Sequence, residues 1–313
     1  MAYEQGRLVY GMQLPIQAQS AIFAESWEAE AGPRELVEIA RTADRAGFDY
    51  IANCDHIAIP RRLADAMRTT WYDPVATLSY LAAVTERVKL LSHVAVVGLR
   101  HPLATAKAYA TVDHLSGGRL ILGVGAGHVE EEFQALGVDF AGRGRLLDET
   151  VDALKSALGP EEYPEHHGER FSFADLGQRP RPAQPHVPIW IGGSSSAAMR
   201  RAATRGDGWL PQGDPRTKLP AKIARIRELR EAAGVQAPLV IGTITEPLYV
   251  GEPAFDTGPW TISGKAEVIA ASLRAYGEMG VHQLQIRFPN RSLAELTDQM
   301  AAFGSEVAPL LND

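Results

Sequence analysis

The stretch LSGGRLILGVGAGHVEEEF, residues 115–133, contains the signals that decide between two classes of α/β fold. An apolar run leads into Gly123, Gly125 and Gly127, and acidic residues from Glu130 onward mark the start of a helix. Apolar residues bounded by glycines are typical of a buried strand, and acidic residues stabilise the first turn of a helix. A strand that ends in glycines before a helix occurs both in dinucleotide-binding sheets and in parallel barrels.

The spacing of these glycines argues against a dinucleotide-binding sheet. The fingerprint of such a sheet is G-x-G-x-x-G at the first strand-to-helix turn, followed about 20 residues later by an acidic residue. Here His128 stands where the third glycine belongs, and other predicted strands precede this one along the chain. The barrel is therefore the better interpretation of this stretch.

Strand and helix signals alternate on both sides of this stretch. Prolines open predicted helices and glycines close them, as at Pro33 and Gly47. The predicted strands cover residues 8–15, 48–56, 88–97, 119–125, 189–193, 206–211, 238–245 and 282–288. The predicted helices cover residues 33–47, 74–86, 102–115, 143–158, 195–205, 218–233, 265–280 and 293–311. These alternating units predict a parallel (β/α)8 TIM barrel, a single domain over residues 1–313 with insertion loops at its C-terminal face.

Composition and charge argue against several functional classes. The chain has 38 acidic and 31 basic residues, a net charge of −7 and no basic run, which argues against nucleic-acid binding. With one cysteine, Cys54, it cannot form an intrachain disulfide. No apolar run approaches the ~20 residues that span a bilayer, and the first residues lack the basic and apolar regions of a secretory signal. We therefore expect a cytoplasmic protein that acts on a small molecule and binds no membrane.

A second glycine cluster follows the fifth predicted strand, in PIWIGGSSSAAMRRAA at residues 188–203. Gly192 and Gly193 are followed by three serines at the start of a helix. Free N–H groups at a helix N-terminus, together with hydroxyl groups and open glycine backbone, can bind an anion, although the same residues also form ordinary helix caps. Active sites of these barrels lie at the C-terminal ends of the strands. Two glycine clusters of this kind, after the fourth and the fifth predicted strands of one barrel, predict a long ligand with an anionic end.

Three stretches carry a resemblance to a known family: AGFDYIANCDHIAIP at residues 46–60, RHPLATAKAYATVDHLSGGRLILGVGAG at 100–127, and PIWIGGSSSAAMRRAATRGDGWLP at 188–211. Together with WYDP at 71–74, they are distributed over most of the chain. The sequence resembles the bacterial luciferase-like monooxygenase superfamily, within the branch that uses the deazaflavin coenzyme F420. The resemblance implies a barrel that binds F420, or alternatively FMN, across its C-terminal face.

The resemblance also implies individual site residues. Asp55 would lie against the deazaflavin, and His56 would be the catalytic acid/base. The bond between His93 and Val94 is expected to be a non-prolyl cis peptide that supports the ring from behind. Further cofactor contacts are expected from Val96, Ala126 and Gly127 at the ring, and from Gly192, Gly193, Ser194 and Ser195 at the phosphate.

Both candidate catalytic histidines, His56 and His128, have structural alternatives. A carboxylate beside an imidazole can make the imidazole suitable for acid/base catalysis. Successive residues of a strand point to opposite faces, however, which predicts that Asp55 does not contact His56. The resemblance includes sugar-phosphate dehydrogenases with a glutamate where this chain has His128, so their specificity does not carry over. His128 is therefore either a second proton donor or a wall of the substrate pocket.

The sequence predicts hydride transfer between F420 and a small organic substrate, with no metal. His128 and Glu132 have helical spacing, which could suggest metal ligands. Metal-dependent barrel hydrolases usually need H-x-H on the first strand, however, and YGMQLP has no histidine there. The alternatives are an FMN-dependent two-component monooxygenase and a non-catalytic F420-binding protein.

The substrate pocket is expected from the loops 59–70, 159–188 and 246–263. Barrels of this kind often form homodimers, and the sequence leaves that point open.

Overall fold

Eight parallel strands form a closed barrel in the computed structural model, which describes residues 7–312. Each barrel strand pairs with the one before it along the chain, and the last pairs with the first. The barrel strands are Val9–Gln13, Tyr50–Asn53, Lys89–Ser92, Leu120–Val124, Ile189–Gly192, Gly208–Leu210, Val240–Ile244 and Gln283–Gln285. This architecture confirms the predicted (β/α)8 barrel.

Helices connect consecutive strands and cover the outside of the barrel. Prolines stand in the first turn of several helices. Proline lacks an N–H group, and this costs no hydrogen bond there because first-turn N–H groups have no carbonyl partner within the helix. The α-helices are Pro33–Arg45, Ala64–Met67, Pro74–Ala82, Pro102–Ser116, Glu130–Ala135, Arg143–Leu158, Ser196–Arg205, Leu219–Ala232, Ala266–Glu278 and Leu293–Ala302. None of the helices within residues 7–312 combines the length and the apolar character needed to cross a membrane.

Shorter elements complete the chain. The last predicted helix is divided, because a π turn and a 3-10 turn follow Leu293–Ala302. An antiparallel pair of two-residue strands and a separate parallel pair lie outside the barrel. The short elements are the strands His166–His167, Ser172–Phe173, Leu248–Val250 and Ile262–Gly264, the π turn Phe303–Val307, and the 3-10 turns Ser26–Ala29, Arg61–Leu63, Val97–Leu99, Arg216–Lys218 and Ala308–Leu311.

Apolar side chains fill both the barrel and the layer between strands and helices. Inside the barrel, Tyr50 and Trp190 meet edge to face, with ring centroids 6.3 Å apart. On the helix Pro33–Arg45, the buried face includes Leu36 and Ile39, at helical spacing. The burial of apolar surface contributes about 25 cal/mol per Å², which makes this core the main source of stability.

Several barrel strands end earlier than the sequence pattern indicates, and two of them lead into predicted site residues. The second strand is Tyr50–Asn53, so Asp55 and His56 lie in the loop that follows it. The third strand is Lys89–Ser92, and most of the apolar residues after it are buried without continuing the ladder of strand pairing. A continuous apolar run indicates burial, and burial is shared by strands and by packed loops. The functional side chains therefore lie on strand-to-helix loops.

The proline-rich segment 159–188 connects the helix Arg143–Leu158 to the fifth barrel strand. It follows a helix rather than a strand, and it packs along the helix Pro102–Ser116. Gln178 donates a hydrogen bond to a backbone carbonyl in the first turn of that helix. Gln184 donates to Asp113 near the other end of the helix. The segment therefore covers the outside of the barrel over the length of one helix.

Candidate active site

His56 is held by a carboxylate from a distant part of the chain. Its Nδ1 donates a 2.9 Å hydrogen bond to Oε2 of Glu132, in the short helix Glu130–Ala135. The other carboxylate oxygen of Glu132 accepts the backbone N–H groups of Ile57 and Ala58, at 2.6 and 3.1 Å. These bonds tie the loop after the second strand to the helix after the fourth strand.

These contacts determine the charge of the pair and the tautomer of the imidazole. Burial alone would raise the pKa of Glu132, but the hydrogen bonds from His56 and the backbone outweigh it and place the pKa below its usual range. An ionised carboxylate can only accept, so the imidazole proton stays on Nδ1. No residue within 7–312 forms a hydrogen bond with Nε2 of His56, which leaves this nitrogen for a ligand.

Two aromatic rings flank the imidazole of His56. The ring centroid of Trp71 lies 4.5 Å from it, and that of His128 lies 5.3 Å from it, perpendicular to its plane. His56 keeps 9% of its side chain exposed, and His128 is exposed at the rim. Burial, together with the nearby charge of His56, lowers the pKa of His128. The structure thus brings the two predicted catalytic histidines together.

Asp55 has a different set of partners from its neighbour His56. Its buried carboxylate accepts two hydrogen bonds from the guanidinium of Arg100, at 2.7 and 3.0 Å. It also accepts the backbone N–H group of Val96 at 2.9 Å. None of its contacts in the described chain involves His56. Asp55 therefore fixes the position of the segment that leaves the third strand.

The peptide bond between His93 and Val94 is cis, as the resemblance implies. The imidazole of His93 is buried, and the side-chain amide of Gln212 donates to its Nε2 at 2.7 Å. Its Nδ1 is buried and has no hydrogen-bonding partner among residues 7–312. Burial lowers the pKa of His93 to about 4. The side chain is therefore neutral at neutral pH and offers one unpaired donor.

The side chain of Val94 explains why both glycine clusters are needed. A Cβ atom at Gly125 would lie 2.5 Å from Cγ2 of Val94, and one at Gly192 would lie 2.6 Å from its Cγ1. A Cβ atom at Gly127 would lie 2.7 Å from Cγ1 of Val96. Real Cβ atoms do not approach so closely. Both glycine clusters therefore accommodate the segment that follows the third strand.

The turn after the fifth strand has the geometry of an anion site. Gly193 has a φ of +110°, a conformation that side chains disfavour, and it is followed closely by the helix Ser196–Arg205. Ser195 caps this helix, because its hydroxyl accepts the N–H group of Ala198 at 3.1 Å. The other N–H groups of the first turn have no carbonyl partner inside the helix and can bind an anion.

Ser194 and a neighbouring lysine support this turn. The hydroxyl of Ser194 donates to the carbonyl oxygen of Gln212 at 3.0 Å and accepts the N–H group of the same residue at 2.8 Å. Lys222 donates to the carbonyl oxygen of Ser194 at 3.0 Å and forms an ion pair with Asp214. Ser194 thus holds the turn in place through its side chain, and an ammonium group lies beside it.

A cavity of about 260 Å³ opens at the same end of the barrel. It is lined by the ends of the first, seventh and eighth strands and by the loop 14–28. Of the three loops expected to form the substrate pocket, 246–263 contributes Pro247, whereas 59–70 and 159–188 contribute none of the described lining residues. The loop after the first strand covers this cavity, and the contribution of the loops 59–70 and 159–188 to the substrate pocket stays a prediction.

The described residues include no candidate metal centre. Within residues 7–312, no three His, Cys, Asp or Glu side chains are grouped so that they could hold a metal ion. The carboxylate of Glu132, which has helical spacing from His128, is occupied by His56 and by backbone amides.

Residues 11–254 match the sequence profile of the luciferase-like monooxygenases. The chain belongs to this family. The crystal structure of the monooxygenase RslO1 from Streptomyces bottropensis has the same fold and superposes with a TM-score of 0.77 at 21% identity. The superposition covers 96% of this chain and 99% of that one.

Two curated relatives of this luciferase-like chain are named for different coenzymes. An F420-dependent glucose-6-phosphate dehydrogenase from Segniliparus rotundus is 33% identical over 207 residues, which are 64% of this chain and 58% of that protein. An FMNH2-dependent dimethylsulfone monooxygenase from Pseudomonas putida is 30% identical over 213 residues, which are 67% of this chain and 56% of that protein. Membership of the luciferase-like family therefore leaves the coenzyme open.

Sequence reasoning missed two contacts that organise the site. Glu132 is the third of three successive glutamates, and their pattern predicts a helix start without indicating which one faces His56. Arg100, the partner of Asp55, belongs to the RHP motif that carried the resemblance, but it was not assigned a role there. Glu132 is far in sequence from His56, and Arg100 is far from Asp55. The motifs that contain these residues were the only signal in the sequence that either one belongs to the site.

Proposed function

We propose that this chain is an F420-dependent oxidoreductase that transfers a hydride between the deazaflavin C5 and a small organic substrate. The observation that carries the proposal is the imidazole of His56, held at 2.9 Å by Glu132 with its Nε2 free, at the barrel end where the substrate cavity opens. When bound, the coenzyme donates or accepts the hydride, and the protein supplies orientation and proton transfer.

The residues at the mouth fit a flat ring with an anionic tail. His93 offers a buried, unpaired donor, and the first turn of the helix Ser196–Arg205 offers free N–H groups for a phosphate. We assign Asp55, His93, Val94, Val96, Ala126 and Gly127 to the ring, and Gly192, Gly193, Ser194 and Ser195 to the phosphate. Within this set, Asp55 and Ser194 act by holding the backbone, since their side chains already bond to the protein.

His56 moves the proton that accompanies the hydride. Its Nε2 removes the O–H proton of an alcohol, or delivers a proton to an enone. The ionised Glu132 keeps the other proton on Nδ1 and stabilises the imidazolium that forms when Nε2 is protonated. His128, with its lowered pKa and its ring against His56, serves either as a second proton donor or as a wall of the site.

The second candidate is an FMN-dependent monooxygenase that receives reduced flavin from a partner reductase. Its support is the Pseudomonas putida relative, which is 30% identical and is named for FMNH2. The same turn after the fifth strand would hold the FMN phosphate. Oxygen consumption with reduced FMN separates the two candidates, because the deazaflavin serves hydride transfer rather than oxygen activation.

Two variants test the roles of the dyad in an anaerobic screen of alcohols and enones, with turnover read from the visible absorbance of F420. His56→Asn should lower kcat by about 100-fold or more, because general acid/base catalysis contributes that much. Glu132→Gln should lower kcat by about tenfold or more and shift the pH profile, because a neutral amide stabilises the imidazolium poorly. The affinity for F420 should stay within about threefold in both variants, since neither side chain is assigned to the coenzyme.

The matched control is His167→Gln, since the side chain of His167 is 69% exposed in the loop outside the barrel. Wild-type turnover in His56→Asn would remove His56 from the mechanism. Unchanged turnover and an unchanged pH profile in Glu132→Gln would reduce that contact to a structural one.

A further inference from the structure

Arg287 projects from the end of the last barrel strand into the candidate substrate cavity. Its side chain is half-buried, and its guanidinium carbon lies 5.3 Å from the ring centroid of Phe23. No residue within 7–312 accepts a hydrogen bond from its guanidinium or forms an ion pair with it. A half-buried guanidinium with unused N–H groups can donate charge-assisted hydrogen bonds to a ligand.

Several other arginines use their guanidinium donors within the protein. Arg119 donates to four backbone carbonyls and to a threonine hydroxyl. Arg201 pairs with Asp148 and also donates to a carbonyl. Arg100, at the same mouth, is bidentate to Asp55. The contrast distinguishes Arg287 from a structural arginine.

The two acidic residues near Arg287 do not take the place of a ligand. Glu28 is buried, and its carboxylate accepts the backbone N–H groups of Ile16 and Glu25 at 2.8 Å each. Neither Glu25 nor Glu28 lies within ion-pair distance of the guanidinium. Burial raises the pKa of both carboxyl groups, which disfavours their charged forms. The positive charge of Arg287 is therefore the one that a ligand in this cavity would meet most directly.

The cavity is bounded by apolar walls, and it adjoins the residues of the proposed mechanism. Leu14, Ile244 and Phe288 are among its lining residues. Ala18, also on its wall, forms a backbone bridge with Trp71, whose ring packs against His56. A molecule in the cavity therefore meets apolar side chains as well as the cation of Arg287.

The position of Arg287 also separates it from the proposed phosphate site. The turn at Gly192 follows the fifth barrel strand, and Arg287 follows the eighth, so two strands stand between them around the barrel. One coenzyme phosphate cannot occupy both places. The anion that Arg287 would bind is therefore not that phosphate, and the position of Arg287 on the wall of the cavity favours the substrate over another anionic part of the coenzyme.

We propose that Arg287 is the anion subsite of the substrate pocket and that the substrate is an organic acid, an apolar body carrying a carboxylate or a similar oxyanion. This inference rests on the proposed function, because it names the substrate class of the same site. A guanidinium can bind a carboxylate through two parallel hydrogen bonds, which fixes the orientation of the acid as well as its position.

The test compares benzoate with benzamide, which has nearly the same shape and no charge, by calorimetry on the full chain with and without F420. Wild type should bind benzoate about tenfold more tightly than benzamide, since hydrogen bonds to charged groups contribute about this much. Arg287→Gln should abolish the difference and leave the affinity for F420 within about threefold. Arg34→Gln, which removes an exposed arginine from the helix after the first strand, is the matched control and should behave as wild type.

The outcomes separate this inference from the proposed function. Equal binding of benzoate and benzamide to wild type, or undiminished preference for benzoate in Arg287→Gln, would overturn the subsite while leaving F420 binding to be judged by itself. Loss of F420 affinity in Arg287→Gln would assign the residue to the coenzyme tail and would also overturn it. Binding of inorganic phosphate without benzoate would contradict an organic-acid substrate. A benzoate preference that depends on Arg287, with no binding of F420, would support the subsite and contradict the proposed coenzyme.

Discussion

At the residue scale, the three histidines of the mouth are distinguished by their surroundings. His56 is paired with an ionised carboxylate, His128 is exposed beside it, and His93 is buried with one unpaired nitrogen. The sequence identifies all three positions through the resemblance, but it cannot assign their partners. Glu132 is 76 residues from His56 along the chain, and only the folded barrel brings them into contact.

The burial of His93 predicts a loss of stability in mild acid. Burial lowers its pKa from the ordinary value of 6.5 to about 4 in the folded chain, so between these values the unfolded chain binds a proton that the folded chain does not. The free energy of unfolding should therefore fall as the pH falls, by about 2 kcal/mol between pH 7 and pH 5 from this residue. Burial lowers the pKa of His128 and of His282 as well, so they act in the same direction.

Urea unfolding at a series of pH values measures this effect. His93→Gln should flatten the pH dependence, and His167→Gln, which changes an exposed histidine, should leave it as in wild type. An equally steep dependence in His93→Gln and wild type would show that His93 is protonated in the folded chain as easily as in the unfolded one.

At the scale of elements, the alternation of strand and helix signals predicts the barrel, and the exact strand ends are less well predicted. The helix Arg143–Leu158 has the predicted bounds, because apolar spacing defines both of its ends. The third strand was predicted to extend to residue 97, but it ends at Ser92. After it, Ala95 forms a single bridge with Val124, and Val96 and Val97 are buried by packing. The path of the segment 159–188 along the helix Pro102–Ser116 was beyond prediction, because proline content alone does not say which elements a loop packs against.

The packing of Val94 against two strands predicts a steric coupling between elements. Gly125→Ala places a Cβ atom 2.5 Å from Val94 and should destabilise the chain by about 1–3 kcal/mol. Adding Val94→Ala should recover part of this loss, so the double variant is more stable than the sum of the single effects predicts. Gly144→Ala, where the nearest atom is 3.8 Å away within a helix, is the control and should be neutral or stabilising.

Urea unfolding of the four proteins of this cycle gives the coupling free energy. Strict additivity, with no recovery in the double variant, would contradict the steric account of the glycine clusters. A weaker F420 affinity in Gly125→Ala that also recovers in the double variant would connect the same contact to the coenzyme site.

At the scale of the whole molecule, the barrel gathers residues from distant parts of the chain at one end. The position of that end follows from the sequence, because active sites of parallel barrels lie where the strands finish. The loop 14–28 lines the cavity although its sequence carries no motif, so its part in the site was beyond prediction. Choice of coenzyme is likewise a property of the assembled mouth, since relatives named for F420 and for FMNH2 both align with this chain.

The measurement that tests the central claim most directly is a titration of the purified, coenzyme-free chain with F420 and with FMN, by fluorescence or calorimetry. The proposed function predicts roughly micromolar or tighter binding of F420, with FMN at least about tenfold weaker. Preferential binding of FMN would contradict F420-dependent hydride transfer and would favour the monooxygenase. Binding of neither coenzyme would reduce the turn at Gly193 to a helix cap and would remove the basis of the proposed site.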